Sequence, residues 1–298
     1  MKHGIVFRYF LAISCIKQTR SLIFSLPVVT ILFRVRNMRN FRWPLSKFKT
    51  ITGKIATKEL LLGLALFVIL SWWITGPIPQ RQTYHDFADQ RTWFEIPNSL
   101  DVLTNIPFCL VGLLGISVLQ HNRQFESPVF RMYLTFFVSV FLTGLGSAYY
   151  HLYPSDSTLV WDRLPLSIAV MSFLSLVFAE RVNLELGQKL FHWLVVAGVC
   201  SVVYWVWLGD LRLYILVQFG SILVMPFILW RYKGSNSGVL WTALNFYVAA
   251  KIFEYMDEQI YQYSTELISG HSLKHIAASL STFMVVVKLS LEANDKHA

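Results

Sequence analysis

The chain has 298 residues, of which 55% are hydrophobic, 15% aromatic and only 14% charged, with a mean hydropathy of +0.50. A soluble domain carries about a quarter charged residues, so this composition excludes a disordered chain, a coiled coil and a disulfide-rich secreted module. It also argues against an ordinary water-soluble enzyme. The net charge of +9 is local: residues 1–58 hold twelve Lys/Arg and no acid, while the other 240 residues hold 14 bases against 17 acids. A basic terminus on a slightly acidic, apolar body gives no reason to expect a nucleic-acid partner.

Within the basic arm, the apolar run 21–33 is flanked by Arg20 and Arg34 and contains Pro27. At that length it falls short of the roughly 20 residues that cross a bilayer. It fits an interfacial segment, part of an Arg-rich targeting peptide, or an over-extended start with Met38 as the initiator, and composition does not choose among them. The stretch 60–80 carries no charge and predicts a first transmembrane helix, assigned to residues 59–82. Uncharged stretches follow at 102–122, 132–155, 164–179, 190–209, 213–230 and 234–250. A last one, 267–287, is broken only by Lys274 and two histidines. Eight helices are therefore predicted, centred near residues 68, 110, 140, 170, 198, 221, 247 and 279. The fold class is an all-α polytopic membrane protein, with a helical domain over 83–290 and a short tail over 291–298. Cys15, Cys109 and Cys200 form no pairing or metal pattern and are read as packing residues.

Orientation follows from the distribution of Lys and Arg. With the arm in the cytoplasm, Arg123, Arg131, Arg181, Lys189, Arg231, Lys233, Lys288 and Lys296 fall on the same side, and the other side keeps Arg81, Arg91, Arg163 and Arg212. Both termini are thus expected in the cytoplasm.

Ionisable groups inside spanning helices are costly and mark functional candidates. The third predicted helix ends in GLGSAYYH, so Ser147 and His151 share a face. Asp162 lies in the first turn of the next helix, and the last helix starts GHSLKHIAAS, placing His271 and His275 on one face. Counting crossings, all five lie at the non-cytoplasmic ends of their helices. Three neutral imidazoles leave an open position in a tetrahedral zinc site, and zinc lowers the pKa of a bound water to about 7. Asp162 suits a general base, and Ser147 an oxyanion donor or a support for a ligand. Gly144, Gly146 and Ala148 read as close helix packing. Lys251 and Glu254 read as a buried ion pair, Asp101 and Asp257 as solvated helix ends, and Tyr150 as support for a polarised carbonyl or an interfacial tyrosine. Paired histidines also suit haem, although haem does not call for a clustered Asp and Ser.

The S-x-x-x-H of Ser147–His151, the Asp eleven residues later, and the H-x-x-x-H of His271–His275 together resemble the alkaline ceramidase family. That family belongs to the CREST superfamily of membrane hydrolases, which also contains the progestin and adipoQ receptors. The stretch YHDFADQR…IPNSLDVLTNIPF is similar to the acidic segment that leads into the family's first core helix, and the resemblance spans about residues 84–290. It implies a seven-helix bundle, here with one extra N-terminal helix. It further implies zinc on His151, His271 and His275, catalytic Asp162 and Ser147, and hydrolysis of the amide of a ceramide-like membrane lipid. A structural calcium is implied for animal members, with Asp86, Asp89 and Asn98 nearest by position, but Arg91 falls within that cluster and opposes a cation. Because the superfamily includes receptors, a heptahelical lipid receptor or binding protein with structural zinc is the alternative from another class, as is a hydrolase of another lipid.

Overall fold

A computed structural model describes residues 74–121 and 128–296, with side chains to Glu292. The arm 1–58, most of the first predicted span, and Cys15 lie outside the described residues. Where that span was expected to continue to residue 82, the chain is non-helical from Thr75 to Arg81. Gly76, Pro77 and Pro79 explain this, because proline lacks the N–H that a helix interior requires. A short 3-10 turn, Gln82–His85, follows.

The rest is helical, with an isolated bridge between Trp93 and Ile96 as the only extended pairing among the described residues. The helices are α1 (Ser99–Leu103), α2 (Ile106–His121), α3 (Phe130–Leu152), α4 (Asp156–Arg181), α5 (Leu184–Leu208), α6 (Arg212–Arg231), α7 (Ser237–Tyr255), α8 (Asp257–Tyr263) and α9 (Gly270–Lys296). The last helix runs through the predicted tail rather than stopping near residue 290. Among the described residues, six stretches are long and apolar enough to cross a membrane: Ser99–His121, Phe130–Leu152, Asp156–Arg181, Leu184–Leu208, Arg212–Arg231 and Gly270–Glu292. α7 is of similar length but carries Asn245, Lys251 and Glu254, which lower its hydropathy.

Caps and turns explain where the helices begin and end. The Ser155 hydroxyl accepts from the Thr158 N–H at the start of α4, and Asn183 Oδ1 accepts from Leu186 N–H at the start of α5. Gly209, at φ 66°, ends α5 in the left-handed conformation that glycine adopts without strain.

Each long helix packs on its chain neighbours, and α9 closes the ring by packing on both α7 and α2. α4 is the most enclosed and also reaches α6. The core divides into an aromatic cluster around Phe136, Phe137, Tyr133 and Val286, and a second around Met171, Val177, Met225 and Ile228. Small residues permit close approach where lipid gives no hydrophobic drive for helix association. A Cβ on Gly144 would sit 2.6 Å from Cys109 Sγ, and one on Gly146 would sit 1.9 Å from the Trp161 carbonyl oxygen. Cys109 thus packs as expected, whereas Cys200 is exposed on the outside of α5.

At one end of the bundle Lys288 is fully buried. Its Nζ donates to Tyr133 Oη (2.9 Å), Glu180 (2.8 Å) and Glu292 (2.6 Å), joining α3, α4 and α9. The opposite end is covered by residues 75–98, which run across it as a strap. Ile78 N–H donates to Asp210 Oδ1 (3.1 Å) and Leu211 N–H donates to the Ile78 carbonyl (2.8 Å), clipping the strap to the turn between α5 and α6. Burial pushes the Asp210 carboxyl up, but hydrogen bonds from Arg212, Ile78 and Tyr204 outweigh it and hold the group at about 2.

Candidate metal centre

α3 delivers His151 from its last turn, and α9 delivers His271 and His275 from its first two turns, all at the strap-covered end. The three imidazoles are buried, and their candidate ligand nitrogens lie within 4.8 Å of one another, forming a group that can hold a metal ion. His151 Nε2 is 3.3 Å from His271 Nε2. Two nitrogens each about 2.0–2.1 Å from a tetrahedral zinc are separated by about 3.3–3.4 Å, so this pair is already at ligand spacing.

The closest partner of the third histidine favours one tautomer. Thr104 Oγ1 donates to the Leu100 carbonyl (2.7 Å), so across its 3.0 Å contact with His275 Nδ1 it accepts. The proton is then on Nδ1 and the lone pair on Nε2, and His275 Nε2 is buried without a protein partner. An orphaned, buried acceptor facing two other imidazoles suits a metal. Support of this kind from a neighbouring hydroxyl fixes a ligand's orientation. Asn98 donates from Nδ2 to the His151 carbonyl (2.9 Å), and Phe87 of the strap lies against His151 and His271 at 4.6 and 4.9 Å between ring centroids. The imidazoles are thereby shielded from water on that side.

Ser147 is buried one turn before His151, and Asp162 lies across the α3–α4 contact from it, where a Cβ on Gly146 would meet the Asp162 nitrogen at 3.3 Å. Gly146 makes that meeting possible, since α3 rests its Gly146 backbone on the Trp161 carbonyl. This carbonyl has no N–H to accept four residues on, because that residue is Pro165. All five residues expected at the site, Ser147, His151, Asp162, His271 and His275, are therefore gathered at one end of the bundle.

Other expectations need correction. Asp101 is not a solvated helix end: it is 0% exposed, and its Oδ1 accepts from Ser272 Oγ (2.6 Å) and Ser269 Oγ (3.3 Å), which open α9. Asp257 is not free either, since it accepts from His271 N–H (2.8 Å) and Ala88 N–H (3.2 Å) and so ties the strap to the start of α9. Tyr150 is buried rather than interfacial, with its hydroxyl 2.8 Å from His85 Nδ1; His85 Nε2 in turn lies 3.1 Å from Asp156. The residues considered for calcium are not brought together as free ligands. Asp86 is exposed, both oxygens of Asp89 accept from Arg91 (2.8 and 2.7 Å), and Asn98 spends its amide on His151. Among the described residues, the three histidines are the one group that could hold a metal ion.

The expected Lys251–Glu254 pair is present at 2.9 Å, and Lys274 joins it at 3.2 Å from the same carboxylate. Lys274 Nζ also lies 2.8 Å from His271 Nε2, so its amine borders the centre. Thr104, Phe87 and Lys274 carried no signal in the sequence as parts of this site. Compared with protein-family models and with curated protein sequences, the chain matches none, so its chemistry rests on the residues themselves.

Proposed function

We propose that the chain is a zinc-dependent membrane hydrolase that cleaves the amide bond of a ceramide-like N-acyl lipid. The observation that carries this reading is the orphaned Nε2 of His275, aimed among two further buried imidazoles at the end of the bundle that also holds Asp162 and Ser147. Zinc and iron-type redox metals both accept histidine, but three neutral imidazoles with a free position are the donor set of hydrolytic zinc. The likeness of the Ser-x-x-x-His, Asp and His-x-x-x-His elements to alkaline ceramidases supports the same chemistry and the amide-lipid class. α7, and the apolar stretch of 60–80 outside the described residues, complete the seven-plus-one arrangement in this reading. The Lys/Arg bias supports an orientation with both termini in the cytoplasm and the metal centre towards the other side.

His151, His271 and His275 hold the metal. When bound, zinc supplies Lewis-acid polarisation of a carbonyl and acidifies a water to near-neutral pKa. Asp162 takes a proton onto a carboxylate oxygen and returns it to the amide nitrogen as the carbon–nitrogen bond breaks, acting first as base and then as acid. Ser147 fixes that carboxylate and can turn its hydroxyl towards charge developing on the carbonyl oxygen. Phe87 keeps bulk water from the histidines. A lipid's tails can stay in hydrocarbon between helices while its head reaches the site.

The test is incubation of purified protein with a panel of N-acyl lipids, following released fatty acid. Release by the native chain and its loss in Asp162→Asn, with zinc retained, is the expected result. No release from any N-acyl lipid would refute the hydrolase and favour a receptor with structural metal.

A further inference from the structure

Arg163 follows Asp162 directly in α4, and the hydrolase reading leaves it unused. It is 4% exposed. Its guanidinium carbon lies 4.4 Å from the Trp205 ring centroid, 4.6 Å from Tyr214 and 5.3 Å from Tyr84. One nitrogen, Nη2, donates to Gln80 of the strap (2.7 Å), while Nε and Nη1 are buried with no protein partner. Among the described residues no carboxylate comes within ion-pairing distance of it.

A buried charge without a counter-charge is expensive. Each aromatic face returns part of that cost through cation–π attraction, but a ring gives the two idle N–H groups no oxygen to donate to. Tyr84 links this cage to the centre: its ring faces Arg163, and its hydroxyl donates to Glu254 (3.0 Å), the shared partner of Lys251 and Lys274. Lys251 and Lys274 hold Glu254, so that acid does not neutralise Arg163. A carboxylate or phosphate matches the planar fork of a guanidinium and gives its idle N–H groups oxygens to donate to.

We infer that Arg163, caged by Tyr84, Trp205 and Tyr214 beside the metal centre, forms an anion-binding subsite for a carboxylate or phosphate on the head of the lipid substrate. The inference rests on the hydrolase reading for the lipid and on the surroundings of Arg163 for the anion. It narrows the substrate class from any N-acyl lipid to one with an anionic head.

Isothermal titration of the zinc-loaded full chain in neutral detergent tests it without relying on turnover. The probes are N-lauroylglycine, its neutral methyl ester and inorganic phosphate. The acid is expected to bind at least about tenfold more tightly than the ester, a difference of about 1.4 kcal/mol. That ratio is expected to fall to about one in Arg163→Gln and to survive in part in Arg163→Lys. Phosphate alone is expected to bind more weakly than the acid. Equal affinity of the native protein for acid and ester overturns the subsite, and this comparison needs no variant to fold. An unchanged ratio in a folded Arg163→Gln protein overturns the assignment to Arg163. Phosphate binding as tightly as the acid overturns the lipid source in favour of free phosphate. Selective binding of the acid without any hydrolysis leaves the subsite standing and sinks the hydrolase instead.

Discussion

Replacing Gly146 by alanine adds a single methyl group, yet it is expected to disable the site. The new Cβ would lie 1.9 Å from the Trp161 carbonyl oxygen and 2.6 Å from its carbon, whereas ordinary contact begins at 3.4 Å. The obstacle is helical backbone in the second turn of α4, so α3 and α4 must part by about 1.5 Å rather than a side chain turning away. Overpacking of this kind costs about 1–3 kcal/mol of stability. A misplacement of about 1 Å at reacting groups costs about 100-fold in rate, and the parting falls between Ser147 and Asp162. The expected outcome is a lower thermal midpoint and a fall of about 100-fold in fatty-acid release, with zinc content retained because all three histidines remain. Gly220→Ala in α6 is the control, since its Cβ meets only the far end of Leu216 at 3.5 Å; it should keep both activity and stability. A Gly146→Ala protein as active and as stable as the native one would refute the close α3–α4 contact and the placing of Ser147 and Asp162 that depends on it.

Further outcomes follow from single contacts. Thr104→Val removes the acceptor for His275 Nδ1–H and is expected to weaken zinc binding about 10–100-fold in a competition titration with a chelator; unchanged affinity would show that the tautomer is fixed otherwise. Lys288→Met leaves Glu180 without its ammonium and is expected to lower stability by about 3–5 kcal/mol. The double variant with Glu180→Gln should recover much of that loss, and a double variant no more stable than the single one would deny the ion pair its role. Asp210, at about 2 in the folded protein against about 3.9 unfolded, contributes stability that is complete above pH ~4 and lost as pH falls towards 2. Thermal melts between pH 5 and pH 2 should show this acid loss, and Asp210→Asn should flatten it; an unaltered profile would remove the strap clip from the account.

The chemistry-bearing residues were legible in the sequence because they obey helix spacing. Ser147 with His151, and His271 with His275, sit four apart at helix ends, and counting crossings was enough to bring them to one side of the bundle. Thr104 was not legible because it meets His275 across 171 residues, and neither periodicity nor charge marks that pairing. Asp101 and Asp257 look like solvated ends on a bare helix. They are buried or engaged because the strap and the start of α9 supply donors there, and nothing in their local sequence announces this. Asp89 was legible as a carboxylate but not as one already neutralised by Arg91 two residues on, a contact that depends on the strap's turn. The break at Gly76–Pro79 was readable from proline chemistry alone, yet the uncharged run of 60–80 outweighed it. Arg163 counted as one of the few bases on its side of the membrane, while its position inside the bundle emerged only once Trp205 and Tyr214 were placed around it.

The central claim is that the three histidines hold a hydrolytic zinc. It is tested most directly by the dependence of fatty-acid release on metal in one preparation of the purified chain. The expected result is about one zinc per chain, loss of release on chelation, and recovery when one equivalent of zinc is returned, with no recovery in His275→Ala. Full release from metal-free protein would contradict the account.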